Sequence, residues 1–302
     1  MKKLLIVIAS LLGVFLLGTG GYAFYLYNSV STTANDINTI ERNEPSLFRP
    51  EPVTAETLDP LSFLLLGTDD REEESVSGRT DTMIVVTVNP EEESMKMLSL
   101  PRDTRTEIIG RGELDKINHA HAFGGPEMAM HSVENFLGIP IDYVATINMN
   151  GFKDLVDAVG GVTVTNDLAF DMDGHQFNEG ELELEGEEAL AYVRMRYDDP
   201  QGDFGRNNRQ RDVIEGVLRE GASLNSLANV GTILESVESN IRTNLGFSEI
   251  TDLWNYQSAR HNIEQLTISG EGTRINDIYY LEIPDNEIER VHNELASHLE
   301  LN

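Results

Sequence analysis

Beyond about residue 60, short apolar runs alternate with longer segments in which apolar positions recur every three or four residues. The first pattern predicts buried strands and the second predicts helices. We predict strands at residues 61–67, 82–88, 94–100, 141–149, 162–165, 263–269 and 278–283. We predict helices at residues 126–137, 151–159, 187–193, 207–220, 227–240, 248–260 and 285–299. Because strands and helices alternate, we expect one layered α/β domain without an internal repeat.

The N-terminal segment has a different pattern, because residues 4–27 carry no charge. A helix of this length spans about 36 Å, which is enough for a bilayer core of about 30 Å. Lys2 and Lys3 precede the uncharged run, and the next basic residue is Arg42. The positive-inside rule therefore predicts that residues 1–3 are cytoplasmic and that the chain after the span lies outside the cell.

The same uncharged run is also compatible with a cleaved signal peptide. It is longer than the apolar core of a typical signal peptide, and no A-x-A cleavage site precedes a clear mature start. We therefore expect residues 4–27 to be an uncleaved transmembrane signal anchor in the cell membrane.

Residues 28–60 are polar and contain four prolines, a composition typical of a linker. A short helix is compatible with residues 30–42. The linker would connect the anchor to an extracytoplasmic domain that comprises residues 61–302.

The composition narrows the possible classes of function. Of the 302 residues, 22 are Lys or Arg and 52 are Asp or Glu, which gives a formal net charge of −30. Nucleic-acid binding needs clustered positive charge, so a nucleic-acid partner is not expected. The chain has no cysteine, which excludes disulfides, thiolate metal sites and cysteine nucleophiles. The acidity itself is compatible with a solvated surface suited to salt or alkali.

The arginines are unevenly distributed, since five of them fall within residues 194–211. Arginine binds phosphate and carboxylate groups through two parallel hydrogen bonds. Arg206 and Arg209 lie at the start of a predicted helix, where free N–H groups and the helix dipole also favour an anion. The alternative is local ion pairing with neighbouring aspartates such as Asp203 and Asp212. The sequence leaves both interpretations open.

Acidic residues lie at the ends of the first two predicted strands. Asp69 and Asp70 follow the first strand, and Asp81 precedes the second. Ligands of open α/β sheets bind at such strand ends. Two carboxylates beside phosphate-binding arginines match the needs of a Mg²⁺–phosphate site. A turn residue and a helix or strand cap are the alternative roles for Asp69 and Asp81.

Seven motifs occur in order along the first two thirds of the predicted domain. They are Phe63-Leu-Leu-Leu-Gly-Thr-Asp-Asp-Arg71, Gly78-Arg-Thr-Asp-Thr-Met83, Leu98-Ser-Leu-Pro-Arg-Asp-Thr104, Lys116-Ile-Asn-His-Ala120, Asn150-Gly-Phe with Gly160-Gly-Val162, Ala191-Tyr-Val-Arg-Met-Arg196 and Gly205-Arg-Asn-Asn-Arg-Gln-Arg211. Together with the predicted anchor, they resemble the LytR–CpsA–Psr family of Gram-positive cell-wall glycopolymer transferases. The resemblance rests on residues 61–214, and residues 220–302 carry none of these motifs.

The resemblance implies a central mixed β-sheet flanked by helices in an α/β/α arrangement, preceded by one transmembrane helix. It also implies a phosphotransferase outside the cell membrane. The donor would be a polyisoprenyl-pyrophosphate-linked anionic glycopolymer, such as wall teichoic acid, and the acceptor would be peptidoglycan. The reaction would form a phosphodiester and release polyisoprenyl phosphate.

The resemblance further implies roles for individual residues. Asp69 and Asp81 match the acids that bind Mg²⁺ or Mn²⁺. The residues that match the pyrophosphate-binding group are Arg79, Arg102, Arg194, Arg196, Arg206 and Gln210. The residues expected to take part in catalysis are Asp81, Arg79, Arg102 and Asp103. Asp203 matches a further acid near the site.

Several alternatives remain open at this level. The family has an apolar groove for the lipid, and residues 83–88 and 128–137 either line it or belong to the hydrophobic core. A lipid pyrophosphatase, with water as acceptor, would need the same donor site. A non-catalytic, membrane-anchored lipid-binding module would need the arginines but no metal-binding acids, so Asp69 and Asp81 argue against it.

Overall fold

The computed structural model describes residues 24–25, 27–49, 53–68, 78, 80–221, 234 and 238–301. In these ranges no helix is both long enough and apolar enough to cross a membrane. The predicted anchor at residues 4–27 lies almost entirely outside the described residues, as does most of the helix predicted at 227–240, so both stay predictions. Asp69 and Arg79 also lie outside them.

The described chain folds into alternating strands and helices. The strands are β1 Leu61–Thr68, β2 Thr80–Asn89, β3 Ser94–Ser99, β4 Arg105–Ile108, β5 Glu113–Lys116, β6 Tyr143–Asn148, β7 Val162–Asn166, β8 Phe170–Met172, β9 His175–Phe177, β10 Gly180–Leu184, β11 Ile241–Thr243, β12 Ile263–Leu266, β13 Glu271–Ile275 and β14 Ile278–Glu282. The helices with complete bounds are α1 His119–Leu137, α2 Met149–Val159, α3 Gly186–Arg194, α4 Asp203–Glu220, α5 Phe247–Asp252 and α6 Asp285–His298, with 3-10 helices at Ala55–Thr57 and Leu253–His261.

Six strands form the central sheet in the order β11-β6-β1-β2-β3-β12. Strand β1 is parallel to β6 and antiparallel to β2, β2 is antiparallel to β3, and β12 is parallel to β3. The sheet is therefore mixed, as predicted. The described residues also form four two-stranded antiparallel sheets, β4–β5, β7–β10, β8–β9 and β13–β14.

Hydrophobic cores lie on both faces of the sheet, which gives the α/β/α layers. Leu64 and Leu66 of β1 pack with α1 and α6 on one face. Leu61 of the same strand packs on the opposite face, where Tyr256 of a 3-10 helix and Leu218 of α4 cover it. This alternation follows from the period of two in a strand. A third core joins β7 and β10 to α2, α3 and α4.

The two apolar runs considered for the lipid groove belong to these cores. Met83 and Val85 face one side of the sheet, and Ile84, Val86 and Val88 face the other. Residues 129–130 and 136–137 of α1 are buried against the sheet. The core interpretation of residues 83–88 and 128–137 is therefore correct.

The segment before β1 is attached to the domain. Residues 27–37 are helical, and Asn38 forms a parallel β-bridge with Thr243 of β11. Further along, Arg42 pairs with Glu134 at 2.9 Å, and Arg49 pairs with Asp142 at 2.9 Å. These contacts hold the described part of the segment against the edge of the sheet and the start of β6.

Candidate active site

A cavity of about 480 Å³ lies between the centre of the sheet and helices α2, α3 and α4. Ligand pockets in proteins commonly have volumes of about 300–1,000 Å³. Polar side chains from the ends of β1 and β2 and from α3 and α4 line one part of the wall, and these are Thr68, Asp81, Thr82, Arg194, Arg206 and Gln210. Apolar side chains from β1, β6, α2, α3 and α4 line most of the remainder, among them Leu65, Ile147, Phe152, Leu155, Leu190, Ile214, Val217 and Leu218.

One face of α4 contributes both polar and apolar side chains to the cavity wall. Arg206, Gln210 and Ile214 are spaced four residues apart, and Val217 and Leu218 continue the same face. At 1.5 Å per residue, this stripe is about 18 Å long. The helix therefore presents a charged and polar end, near its N-terminus, and an apolar end along a single cavity.

Asp81 reaches the cavity because of an irregularity in the sheet. Gly67 pairs with Thr82, and the next residue of β1, Thr68, pairs with Thr80, so that Asp81 is the extra residue on β2. Such a bulge changes the direction of a side chain and often occurs beside active sites. Gly67 allows the close approach of the two strands, since a Cβ atom on it would lie 3.0 Å from Thr82 Cβ and force that side chain to shift.

Arg102 holds the Asp81 carboxylate. Its Nη1 atom donates to Asp81 Oδ1 at 2.5 Å, and its Nε atom lies 3.9 Å from Asp103 Oδ2. Burial opposes the charge on Arg102, but the nearby carboxylates, Asp81 above all, outweigh it and raise the pKa of the guanidinium. Arg102 therefore stays charged at the mouth of the cavity.

Asp203, the first residue of α4, lies close to two further arginines. Its Oδ1 atom lies 2.9 Å from Arg206 Nη2 and 3.4 Å from Arg196 Nε. Arg206 Nη2 also donates to the backbone oxygen of Asp81 at 3.3 Å, which joins this group to Arg102. The sequence-predicted residues Asp81, Arg102, Arg196, Arg206 and Asp203 thus lie together in the structure.

The charge on Arg206 is only partly compensated. The side chain is 8% exposed, and its Nε atom has no hydrogen-bond partner among the described residues. Burial and the positive charges of Arg102 and Arg196 lower the pKa of Arg206, although Asp203 opposes this. A guanidinium buried beside other cations favours an anion at the same place.

Arg194 and Gln210, two of the residues expected to bind the pyrophosphate, also lie on the cavity wall. The Arg194 side chain is more exposed than that of Arg206, and its Nη1 atom pairs with Asp173 Oδ2 at 3.0 Å. Arg194 therefore lies at the rim of the polar end, whereas Arg206 lies inside it.

The other two arginines of the cluster stabilise the fold. Arg209 is buried, pairs with Asp199 at 2.7 Å and donates to the backbone oxygen of Met195 at 2.6 Å. Arg211 donates to Gln265 at 3.0 Å and to Asn208 at 2.6 Å. Local ion pairing therefore accounts for Arg209, whereas anion binding by the cavity-lining arginines, Arg194 and Arg206, stays a prediction.

A divalent metal ion fits the chemistry of Asp81. Its carboxylate is 42% exposed at the cavity mouth, and its Oδ1 atom alone accepts from Arg102. Mg²⁺ is commonly held by one or two carboxylates together with phosphate oxygens of the substrate. Within the described ranges, no three acidic or histidine side chains are grouped to hold a metal. The second expected acid, Asp69, lies outside those ranges.

The apolar wall was not identified from the sequence. Most of its members on α2, α3 and α4 are half-buried rather than buried, because they face the cavity. The periodicity of α4 offered one clue, since Ile214 and Leu218 continue the face of Arg206 and Gln210. No comparable pattern marked Phe152 as a wall residue.

Comparisons with known proteins agree over nearly the whole chain. The model of the LytR_cpsA_psr family matches residues 23–297. The polyisoprenyl-teichoic acid--peptidoglycan teichoic acid transferase TagU of Halalkalibacterium halodurans is 54% identical over 304 residues, which cover 100% of both chains. The crystal structure of Bacillus subtilis TagU is 44% identical, with a TM-score of 0.67 over 81% of this chain and 98% of that chain. The structure of TagT bound to LIIa-WTA is 31% identical, with a TM-score of 0.73 over 86% of this chain and 98% of that chain.

Proposed function

The chain belongs to the LytR_cpsA_psr family, and on this basis we propose that it transfers an anionic glycopolymer from a polyisoprenyl pyrophosphate carrier to peptidoglycan. Wall teichoic acid is the proposed glycopolymer, since TagU of Halalkalibacterium halodurans is a teichoic acid transferase. The reaction class is phosphoryl transfer, in which a substituted phosphate moves to a sugar hydroxyl.

The observation that carries this proposal is the two-part cavity along α4. A polyisoprenyl pyrophosphate has a charged head and a long apolar chain, and the cavity offers Arg206 and Gln210 at one end and Ile214, Val217 and Leu218 at the other. Each apolar methylene group that leaves water contributes about 0.8 kcal/mol. A free nucleotide or sugar phosphate would leave the apolar end without a matching group.

Local charge allows this acidic protein to bind an anion. The formal net charge is −30, but charges on the surface are largely screened beyond about 10 Å. Unit charges about 4 Å apart interact by roughly 4 kcal/mol at an effective dielectric constant of 20. The nearby groups therefore set the field at the polar end, where Arg102, Arg196 and Arg206 lie beside the carboxylates of Asp81 and Asp203 and a bound Mg²⁺ would add positive charge.

The proposed chemistry needs positioning and charge neutralisation more than covalent catalysis. Arg206 and Gln210 would hold the pyrophosphate, and Arg102 would orient Asp81. When bound, Mg²⁺ or Mn²⁺ would neutralise charge on the phosphate oxygens, and Asp81 and Asp69 would hold it. Arg79, Arg194 and Asp103 are the further proposed participants at this end.

The bonds of the proposed reaction balance without a further reactant. The oxygen of a peptidoglycan sugar hydroxyl forms a bond with the phosphorus that carries the glycopolymer. The bond between that phosphorus and the bridging oxygen breaks, and polyisoprenyl phosphate leaves with that oxygen. The hydroxyl proton passes to the released phosphate or to water, and the product is a phosphodiester.

A cell-membrane location with the domain outside accompanies this proposal, because both donor and acceptor are outside the cytoplasm. Its support is Lys2 and Lys3 before the uncharged residues 4–27. Protease added to intact protoplasts should digest residues 61–302 and spare a short N-terminal fragment. Protection of the whole chain would contradict this topology.

The transfer itself is testable with the full chain in detergent. The purified protein would be incubated with Mg²⁺, a short lipid-pyrophosphate-linked teichoic acid and peptidoglycan oligomers. We expect a glycopolymer–peptidoglycan conjugate, detected by mass spectrometry, and an equal amount of polyisoprenyl phosphate. Consumption of the donor without a conjugate would contradict transfer and favour hydrolysis.

A further inference from the structure

Four charged side chains of alternating sign lead from β5 to the polar end of the cavity. Lys116 Nζ lies 2.6 Å from Asp103 Oδ1, and Asp103 Oδ2 lies 3.9 Å from Arg102 Nε. Arg102 Nη1 in turn donates to Asp81 Oδ1 at 2.5 Å. Lys116 therefore connects to Asp81 through two intermediate side chains, although it does not line the cavity.

Backbone contacts fix the first two members of this series, Lys116 and Asp103. Lys116 pairs with Arg105 across the β4–β5 hairpin, and the backbone N–H of Leu281 donates to the backbone oxygen of Asp103 at 2.8 Å. The Lys116 ammonium also lies 5.9 Å from the centre of the Tyr280 ring. The positions of Lys116 and Asp103 are therefore set by the hairpins and do not depend on a ligand.

The Asp103 carboxylate lies closer to Lys116 than to Arg102. Its carboxylate makes a short, charge-assisted contact with Lys116, whereas its contact with Arg102 is longer by more than 1 Å. Arg102 directs its Nη1 atom toward Asp81 instead. Without the ammonium, Asp103 would be left as a poorly solvated carboxylate, and Arg102 would be the nearest cation to compensate it.

We propose that Lys116 is a positioning residue, which neutralises Asp103 and so keeps Arg102 directed at Asp81 and at the donor pyrophosphate. The inference rests on the proposed function of the same site. Lys116 acts through Arg102 and makes no contact with the substrate. The chain has only two other lysines outside its N-terminal pair, Lys96 and Lys153.

The test measures equilibrium binding of a polyprenyl pyrophosphate, with Mg²⁺, to the full chain in detergent. Lys116→Met should weaken binding by about 10-fold, the lower end of what the loss of an outer-shell partner costs. Lys116→Arg keeps the positive charge and should bind within about threefold of the unchanged protein. Lys96→Met is the matched control, because Lys96 is 20% exposed and pairs with Glu264 on the sheet edge; its binding should not change.

A double variant separates positioning from a general structural role. Because the proposal makes the charge of Asp103 the cause of the loss, Lys116→Met combined with Asp103→Asn should bind as Asp103→Asn does. Melting temperatures of all variants identify any loss of fold. If Lys116→Met alone is unstable, the comparison of the double variant with Asp103→Asn tests the proposal. A folded Lys116→Met protein with unchanged affinity would overturn the proposal. So would a Lys116→Met substitution that lowers affinity as much in the Asp103→Asn variant as in the unchanged protein. Binding without transfer would contradict the proposed function and leave this test intact.

Discussion

Arg206 Nη2 lies 2.9 Å from Oδ1 of Asp203, one turn earlier on α4. This ion pair is the local pairing that the sequence left open, yet the same guanidinium lines the cavity and leaves its Nε atom without a partner in the described chain. The pair therefore orients Arg206 at the polar end of the cavity. The ion pair gives Arg206 a structural role, and its role in anion binding stays a prediction.

Both roles are measurable in variants of Arg206. Arg206→Ala should weaken binding of a polyprenyl pyrophosphate by about 2–3 kcal/mol, the scale of a charge-assisted hydrogen bond. It should also lower the melting temperature, because Asp203 keeps only the longer contact to Arg196. Arg206→Lys keeps the positive charge but lacks the planar guanidinium group, which can form two parallel hydrogen bonds with a phosphate. It should therefore recover part of the affinity.

Arg290 is the matched control for Arg206. It lies on α6, is 41% exposed and pairs with Glu287 and Glu294, far from the residues of the cavity wall. Arg290→Ala should therefore leave donor affinity unchanged. A folded Arg206→Ala protein that binds the lipid pyrophosphate as tightly as Arg290→Ala would remove Arg206 from the site.

Asp81→Asn tests the proposed metal site. The substitution removes one ligand charge but keeps the shape of the side chain, and we expect turnover to fall by about 10²-fold or more. The melting temperature should change little, since the carboxylate is 42% exposed. Glu264→Gln, at an exposed ion pair on the sheet edge, is the control. Unchanged turnover of Asp81→Asn at limiting Mg²⁺ would refute the metal role.

The strong patterns along the chain identified most of the fold. The strand at residues 61–67 and the hairpin of β2 and β3 were correctly predicted. Long β-branched or apolar runs that are separated by an acidic turn are typical of strands and hairpins. The hairpins β4–β5 and β8–β9 were missed, since their three- or four-residue strands carry too few apolar positions. The helix predicted at residues 248–260 is in fact α5 followed by a 3-10 helix.

The charged half of the site was more predictable than its apolar half. Arg102, Arg196 and Arg206 stand in recognisable motifs, and the structure brings them together at Asp81 and Asp203. The bulge that directs Asp81 into the cavity depends on the register between β1 and β2. This register cannot be predicted from the pattern of residues alone. The apolar wall is composed of ordinary residues whose half-buried state appears only when three helices assemble around the cavity.

Ile214→Trp tests that apolar wall. The larger side chain would occupy part of the cavity, and exclusion of two methylene groups of the lipid costs about 1.6 kcal/mol, somewhat more than tenfold in affinity. Affinities for polyprenyl pyrophosphates of increasing chain length should therefore level off earlier than in the unchanged protein. Ile288→Trp, on α6 against the opposite core, should preserve the dependence on chain length. The same dependence in Ile214→Trp would contradict the assignment of the cavity.

The buried His298 predicts how stability depends on pH. Its Nδ1 and Nε2 atoms contact the hydroxyls of Thr87 at 2.7 Å and Ser94 at 2.9 Å. Burial lowers the pKa of His298, although Glu92 opposes this. The unfolded chain therefore binds a proton more readily than the folded one, and the free energy of unfolding should fall as the pH drops below about 6.5.

The contribution of this one proton has a slope of at most about 1.4 kcal/mol per pH unit. Urea unfolding from pH 8 to pH 5 measures it as the difference between the unchanged protein and His298→Gln. The exposed His261→Gln should retain the pH dependence of the unchanged protein. An identical pH dependence in His298→Gln would exclude His298 as its source.

The acceptor hydroxyl distinguishes a transferase from a pyrophosphatase, and isotope labelling detects it directly. The full chain would turn over a lipid-pyrophosphate-linked teichoic acid with peptidoglycan oligomers in water enriched in ¹⁸O, and both phosphate products would be analysed by mass spectrometry. Transfer to a sugar hydroxyl predicts a phosphodiester conjugate and polyisoprenyl phosphate, both without ¹⁸O. A glycopolymer phosphate that carries one ¹⁸O atom, without a conjugate, would show that water is the acceptor and would contradict the proposed function.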